Sequence, residues 1–282
     1  MSNVTQRRFL QTWRPILKLG IRAIYPIFEL LYRRCAAFRN WSERPRDPES
    51  GLLNRTLFLL QTELWRRRTY DPQRYKEWQR NYWSTIGVSR WIPIDTFDFS
   101  DTESLLRRAI SPIDRTFLEL GCGRGKNLQF VATNFSQLQT FAIDAAEPMC
   151  EAARKNSPSS TVVCGFYGPD SPPLPMNQFD VVFARSTVTY IDEIEIKAVL
   201  TWIFGRAKRC VVLSEPSGVF DAEIAPSSLK RLGPGVYKRL HDHTHIRDYA
   251  AYVSELKLPF DAVEVSLETS KGNRTWIFNR SK

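Results

Sequence analysis

From Pro112 onward, short apolar runs alternate with segments of helical length, and this alternation restricts the fold more than any other feature of the chain. The runs at 116–120, 138–143, 161–164, 179–184, 210–214, 262–267 and 275–279 read as strands, and 126–133, 148–155, 194–208 and 245–256 read as helices. Strands separated by helices predict an α/β fold with a seven-stranded, mostly parallel sheet, covered on both faces, that binds ligands beyond the carboxyl ends of its strands. The last two strands are joined by a short segment around Lys271, Gly272 and Asn273, so they are expected to pair as an antiparallel hairpin.

The first strand carries the most specific signal. Phe117, Leu118 and Leu120 suit a buried strand, Glu119 lies among them, and Gly121, Gly123 and Gly125 follow at alternate positions. Glycines there let backbone approach a ligand without a Cβ in the way, and a helix from Lys126 would aim its N-terminal amides at that ligand. The second strand ends in Asp144, a carboxylate able to accept hydrogen bonds from both hydroxyls of a ribose. A dinucleotide site shares that layout, but its fingerprint is G-x-G-x-x-G, and position 126 is Lys. The P-loop sequence does not occur.

The stretch Glu119-Leu-Gly-Cys-Gly-Arg-Gly, followed by Ala142-Ile-Asp144 and Phe179-Asp-Val-Val-Phe183, resembles the class I S-adenosylmethionine-dependent methyltransferases over residues 112–282. The resemblance implies a Rossmann-like fold, S-adenosyl-L-methionine as cofactor, and methyl transfer as the activity. It places Gly121, Gly123 and Gly125 under the methionine part of the cofactor and Asp144, with its neighbour Ala145, at the ribose. Glu119 would fix the glycine turn and the cofactor's amino group. After the third strand, where many members have an acid near the adenine amine, this chain has Cys164-Gly-Phe166-Tyr167, so Phe166 or Tyr167 is expected to stack on the adenine instead.

A hydroxyl acceptor benefits from a base, and the chain's three histidines, His241, His243 and His245, all fall in the connection after the fifth strand. One of them is the expected general base. A metal site and plain loop residues are the competing readings, and no metal is assigned. After the fourth strand, Arg185 is expected to meet the cofactor carboxylate or an acidic substrate, and Tyr190 to line the acceptor pocket. Glu215, ending the fifth strand, is a third group expected near the acceptor. The Asn/Asp-Pro-Pro-aromatic motif common in enzymes that methylate base amines is absent from this segment.

The N-terminal third has a different character. The formal charge of the 282-residue chain is +10, and residues 1–110 hold 20 Lys+Arg against 11 Asp+Glu. Six of the eight tryptophans also fall there. The division expected is a helical, basic and aromatic extension or cap at 1–110 and the cofactor-binding domain at 111–282. Residues 7–34 have a helical period and a broad apolar face, but charges at Arg14, Lys18, Arg22 and Glu29 exclude a membrane span. The helix either covers the catalytic domain or lies on an anionic membrane surface. Tyr75, Trp78 and Tyr82 form a helical stripe, read as core ahead of binding surface. Five scattered cysteines without a C-x-x-C pair suggest a reducing, cytoplasmic setting, with peripheral association on the inner face of the membrane as an addition.

The leading functional reading is methylation of a hydroxyl on a small-molecule, sugar or lipid-linked acceptor. An RNA methyltransferase using the basic segment ranks below it, because no RNA-binding signature accompanies the charge. A non-catalytic cofactor-binding protein that docks a partner is the third.

Overall fold

The computed structural model describes residues 23–42, 44, 53–54, 56–57, 60, 72–87, 100–216, 229–233, 236–239, 244–268 and 273–281. The chain divides into two units, Met1–Ser89 and Arg90–Lys282. The sequence readings of residues 7–22, of most of a helix expected at 52–68, and of His241 and His243 lie outside the described residues.

In the first unit, residues 23–34 form a helix (α1), followed by α2 (Ala36–Ser42) and α3 (Pro72–Tyr82), which ends in a π-helical turn at Trp83–Gly87. Tyr25, Phe28 and Tyr32 come from one side of α1 and are buried with Leu57, Leu60 and Phe38. The stripe on α3 is core: Tyr75 and Trp78 are buried, and Trp78 stacks on Tyr82 at 5.2 Å between centroids.

The second unit opens with α4 (Ser100–Ala109), which has Asp101 and Glu103 in its first turn and Arg107 and Arg108 in its last, the arrangement that complements a helix dipole. Then follow β1 (Thr116–Leu120), α5 (Lys126–Asn134), β2 (Gln139–Asp144), α6 (Glu147–Asn156), β3 (Thr161–Cys164), β4 (Phe179–Arg185), a 3₁₀ turn (Val188–Tyr190), α7 (Ile196–Arg206) and β5 (Ala207–Pro216). The remaining elements are β6 (Leu229–Gly233), β7 (Val236–Arg239), β8 (His245–Arg247), α8 (Tyr249–Glu255), β9 (Phe260–Glu268) and β10 (Asn273–Arg280).

Seven strands form one sheet in the order β3-β2-β1-β4-β5-β10-β9. The pairs among β1 to β5 are parallel, whereas β10 runs antiparallel to both β5 and β9, as the short connection requires. Alternation along β1 sends Leu118 and Leu120 to the face covered by Leu200, Ile203 and Phe204 of α7. Phe117 turns to the opposite face, against Leu105 and Leu106 of α4 and Leu128 and Val131 of α5. Glu119 has the parity of Phe117, so it lies on the side from which α5 begins.

Three differences from the sequence reading have local causes. Residues 245–247, expected to start a helix, pair with β7 as a strand. The helix begins only at Tyr249 because Asp248 caps it, its Oδ1 accepting from the amides of Ala250 and Ala251 at 3.1 and 3.3 Å. Ala207 and Lys208, expected in a helix, open β5. The small sheet β6-β7-β8 was not expected, because its strands are short and rich in Lys and Arg in place of apolar residues.

Candidate functional site

The site is built at the carboxyl ends of β1, β2 and β4. Gly121, Gly123 and Gly125 all have positive φ (62°, 52° and 74°), so the chain turns from β1 into α5 through backbone that residues with a Cβ enter only at a cost. Gly121 is fixed from both sides: its amide donates to Ile143 O at 2.8 Å, and a Cβ placed on it would lie 2.1 Å from Thr187 Oγ1. Gly123 differs, since a Cβ there would meet nothing within 4 Å. The turn therefore leaves its middle glycine facing open space.

Two carboxyl groups flank that space. Asp144 ties the second strand to the turn, with Oδ2 accepting from Gly123 N at 2.8 Å and Oδ1 from Ala146 N at 2.9 Å. Burial raises its pKa, and the two amides oppose that shift. Glu119 is 2% exposed, and its Oε1 accepts from Asn127 Nδ2 at 2.8 Å. Its Oε2 is buried without a hydrogen-bond partner. Burial pushes the Glu119 pKa up to about 8, with Asn127 opposing, the nearby Asp144 charge adding, and the Leu128 amide and Arg185 opposing. A buried acceptor lacking a donor costs about 1–3 kcal/mol, and a cationic amino group arriving at Oε2 would remove that cost. The residues present therefore fit a cationic, ribose-bearing ligand laid over the glycine turn.

The segment after β4 forms the opposite wall. Ser186 adopts a left-handed conformation (φ 50°), a strained geometry for a residue with a Cβ. Asn273 Nδ2 donates to its Oγ at 2.9 Å, and its amide donates to Ser214 O at 2.9 Å. Glu215 is fully buried at the end of β5. Its Oε1 accepts from Thr187 N and Val188 N at 3.1 and 3.0 Å, and its Oε2 from Thr189 N at 3.2 Å. This corrects the expectation that Glu215 meets an acceptor hydroxyl: its carboxyl caps the start of the 3₁₀ turn. Burial raises its pKa to about 7 despite the three amides and the Arg247 charge. Tyr167 joins the same wall, its hydroxyl 3.1 Å from Thr187 Oγ1.

Among the other residues singled out by sequence, Ala145, Phe166, Arg185 and Tyr190 are half-buried around this end of the sheet. Arg185 ends β4 close enough to Glu119 to lower its pKa. His245 is 2% exposed, with Nδ1 3.3 Å from Thr189 O and its own carbonyl accepting from Thr189 Oγ1 at 2.7 Å. Next along β8, the buried Arg247 donates to Glu193 Oε2 at 3.1 Å and to Ile191 O at 2.6 Å, and Tyr252 donates to the other oxygen of Glu193. Sequence reasoning missed Asn127, Thr187 and this Arg247–Glu193–Tyr252 group. Asn127 had a signal, since it opens the helix that follows the glycine turn. No group of three or more His, Cys, Asp or Glu among the described residues could hold a metal ion.

Residues 117–209 match a family model described as a methyltransferase domain. A trans-aconitate 2-methyltransferase from Acidovorax sp. (strain JS42) is 26% identical over 160 residues, covering 57% of this chain and 57% of that protein. The chain thus spans just over half the length of that curated relative. Magnesium protoporphyrin IX methyltransferase from Synechocystis PCC 6803, crystallised with bound SAH, superposes with a TM-score of 0.55 at 15% identity, over 73% of this chain and 100% of that one. An S-adenosylmethionine-dependent methyltransferase from Clostridium acetobutylicum ATCC 824 gives a TM-score of 0.50 at 14% identity, covering 69% and 96%. Residues 117–209 are thus similar to a methyltransferase domain, and the second unit shares the Rossmann-like fold of these solved methyltransferases.

Proposed function

We propose that this methyltransferase domain acts on an oxygen, a hydroxyl of a small-molecule, sugar or lipid-linked acceptor, in the cytoplasm or at the inner face of its membrane. Bound S-adenosylmethionine supplies an activated methyl group on a sulfonium, so the protein's task is alignment and exclusion of water. The observation that supports the cofactor part of the reading is Oε2 of Glu119, buried without a hydrogen-bond partner in a side chain whose charge is coupled to that of Asp144. Glu119 would take the cofactor's amino group, Asp144 and Ala145 its ribose, Arg185 its carboxylate, and Phe166 or Tyr167 its adenine.

The acceptor would enter from the wall formed by Arg185 to Tyr190. Methylation of an exocyclic base amine is disfavoured because that wall reads Arg185-Ser-Thr-Val188, without the amide or acid and the prolines common in enzymes of that kind. The acceptor proton would pass to a histidine of the 241–245 segment. For His245, a Nδ1–H donated to Thr189 O would leave Nε2 as the basic nitrogen. Tyr190 would line the acceptor pocket. The trans-aconitate relative, whose named substrate is an acid, supports an oxygen acceptor on a small molecule.

The test is release of S-adenosylhomocysteine from S-adenosylmethionine when the protein is offered fractionated glycan, lipid and small-acid extracts, then the same fractions after their hydroxyls have been blocked. Turnover that disappears on blocking supports the reading. Turnover only with amine acceptors or RNA would overturn it.

A further inference from the structure

We propose that α1 docks the protein on an anionic lipid surface through its outer aliphatic face. The helix has two apolar faces, and folding uses only one of them. Tyr25, Phe28 and Tyr32 are 1–5% exposed and belong to the core of the first unit. Ile24, Ile27, Leu30 and Leu31 are 48%, 63%, 52% and 42% exposed. At 3.6 residues per turn these four share an arc of about a third of the circumference, away from the buried aromatics. Four large aliphatics held in water on a single short helix form a patch of the kind that marks a binding surface.

Charge identifies the occupant. The unit Met1–Ser89 contains 17 Lys+Arg against 7 Asp+Glu, whereas Arg90–Lys282 contains 23 of each, so the entire net charge of +10 belongs to the unit that carries the patch. The exposed Arg34 lies at the carboxyl end of α1, where Arg33 is paired with Glu29 at 2.8 Å and Arg39 of α2 is held on Tyr32 O and Arg33 O, both at 2.8 Å. Trp41, 38% exposed, adds an aromatic of the type favoured at a membrane–water boundary. An aliphatic arc with Arg34 beside it, on the unit that holds the net positive charge, matches the interfacial mode, in which apolar side chains enter the headgroup region and basic ones stay with anionic lipid. No helix among the described residues is long and apolar enough to cross a membrane, so the contact lies on the surface.

The proposal is independent of the methyl acceptor, and its test uses the full chain. Vesicles of phosphatidylcholine, alone or with phosphatidylglycerol, are floated with the protein at low and high salt. Recovery with the anionic vesicles is expected, and salt should weaken it. The double variant Ile27→Asp/Leu31→Asp should lose roughly tenfold or more of that affinity, while keeping the thermal melt and S-adenosylmethionine affinity of the parent. A second readout needs no variant in the face: a fluorophore attached to the exposed Cys35, just beyond α1, should brighten and shift to the blue on adding anionic vesicles. The proposal is overturned if the parent ignores anionic vesicles, if the folded double variant binds them equally, or if the label stays unchanged. It is also overturned if the patch supports self-association of the chain in the absence of any lipid binding, which would assign the face to a second copy.

Discussion

Replacing Gly121 and Gly123 separately by alanine should damage two different properties, although the residues are two apart and share a backbone conformation. Each substitution forces a Cβ into left-handed backbone, costing about 1–2 kcal/mol. At Gly123 that is the whole structural effect, because the new methyl meets nothing within 4 Å. At Gly121 the methyl lies 2.1 Å from Thr187 Oγ1 and 2.6 Å from Thr187 Cβ, far inside contact distance. Thr187 has little room to retreat, since its amide is held by Glu215 and its hydroxyl is 3.1 Å from that of Tyr167. Overpacking of this kind adds about 1–3 kcal/mol, so Gly121→Ala should lose about 2–5 kcal/mol in all. Hydrogen exchange of β1 and β2 amides under mild urea would measure both losses, and calorimetry with S-adenosylmethionine would measure binding. Gly123→Ala should remain folded and bind at least about tenfold more weakly, its methyl obstructing the approach of the cofactor. Adding Thr187→Gly to Gly121→Ala should relieve the clash and leave the conformational cost, a coupling of about 1–3 kcal/mol. Equal destabilisation by the two alanines, or unchanged cofactor affinity in Gly123→Ala, would refute the reasoning.

Asp144→Ala removes two backbone contacts and the proposed ribose acceptor together; cofactor affinity should fall by about ten- to a hundredfold, and calorimetry showing parent affinity would contradict the assignment. Glu215 gives a stability effect with a definite sign. Its folded pKa of about 7 lies above the ordinary 4.5, so the fold favours the protonated form, and the resulting stability is full below 4.5 and lost as pH rises through 7. The difference is up to about 3 kcal/mol. Melting of the parent relative to Glu215→Gln should therefore fall between pH 5 and pH 8, and a parent that gains on the variant over that range would exclude it. For Glu119, pushed up to about 8, ionisation should accompany docking of the cationic amine. Cofactor affinity should rise with pH up to about that value, and Glu119→Gln should flatten the rise; a parent profile already flat would count against the pairing.

How far the sequence revealed this arrangement depended on the distance over which each signal acts. β1 and β3 were predicted to the residue and β2 and β4 within two residues at each end, because buried parallel strands are written as local apolar runs; the antiparallel β9 and β10 were also placed within two residues. The glycine turn and Asp144 were equally plain, since each follows directly on a strand. Thr187 was invisible as the lid on Gly121, because that contact joins residues far apart in the chain and depends on β1 lying beside β4. The same holds for Glu215, whose place at a strand end suggested a ligand contact, although the adjacent turn supplies its three donors. His245 was read as the start of a helix and a candidate base, and only pairing with β7 makes it a buried strand position.

The place of β10 between β5 and β9 ties completion of the sheet to the order of synthesis. Residues 210–213 of β5 are fully buried in the finished protein, and one of their two neighbours in the sheet is a strand made from 273–280. While a ribosome still holds those residues, β5 has an open, apolar edge and β9 lacks its partner, the condition in which strands pair with the wrong chain. The glycine turn and Asp144 emerge well before Asn273, which fastens Ser186 after β4. Removing 273–280 would therefore cost the chain both its sheet edge and that fastening.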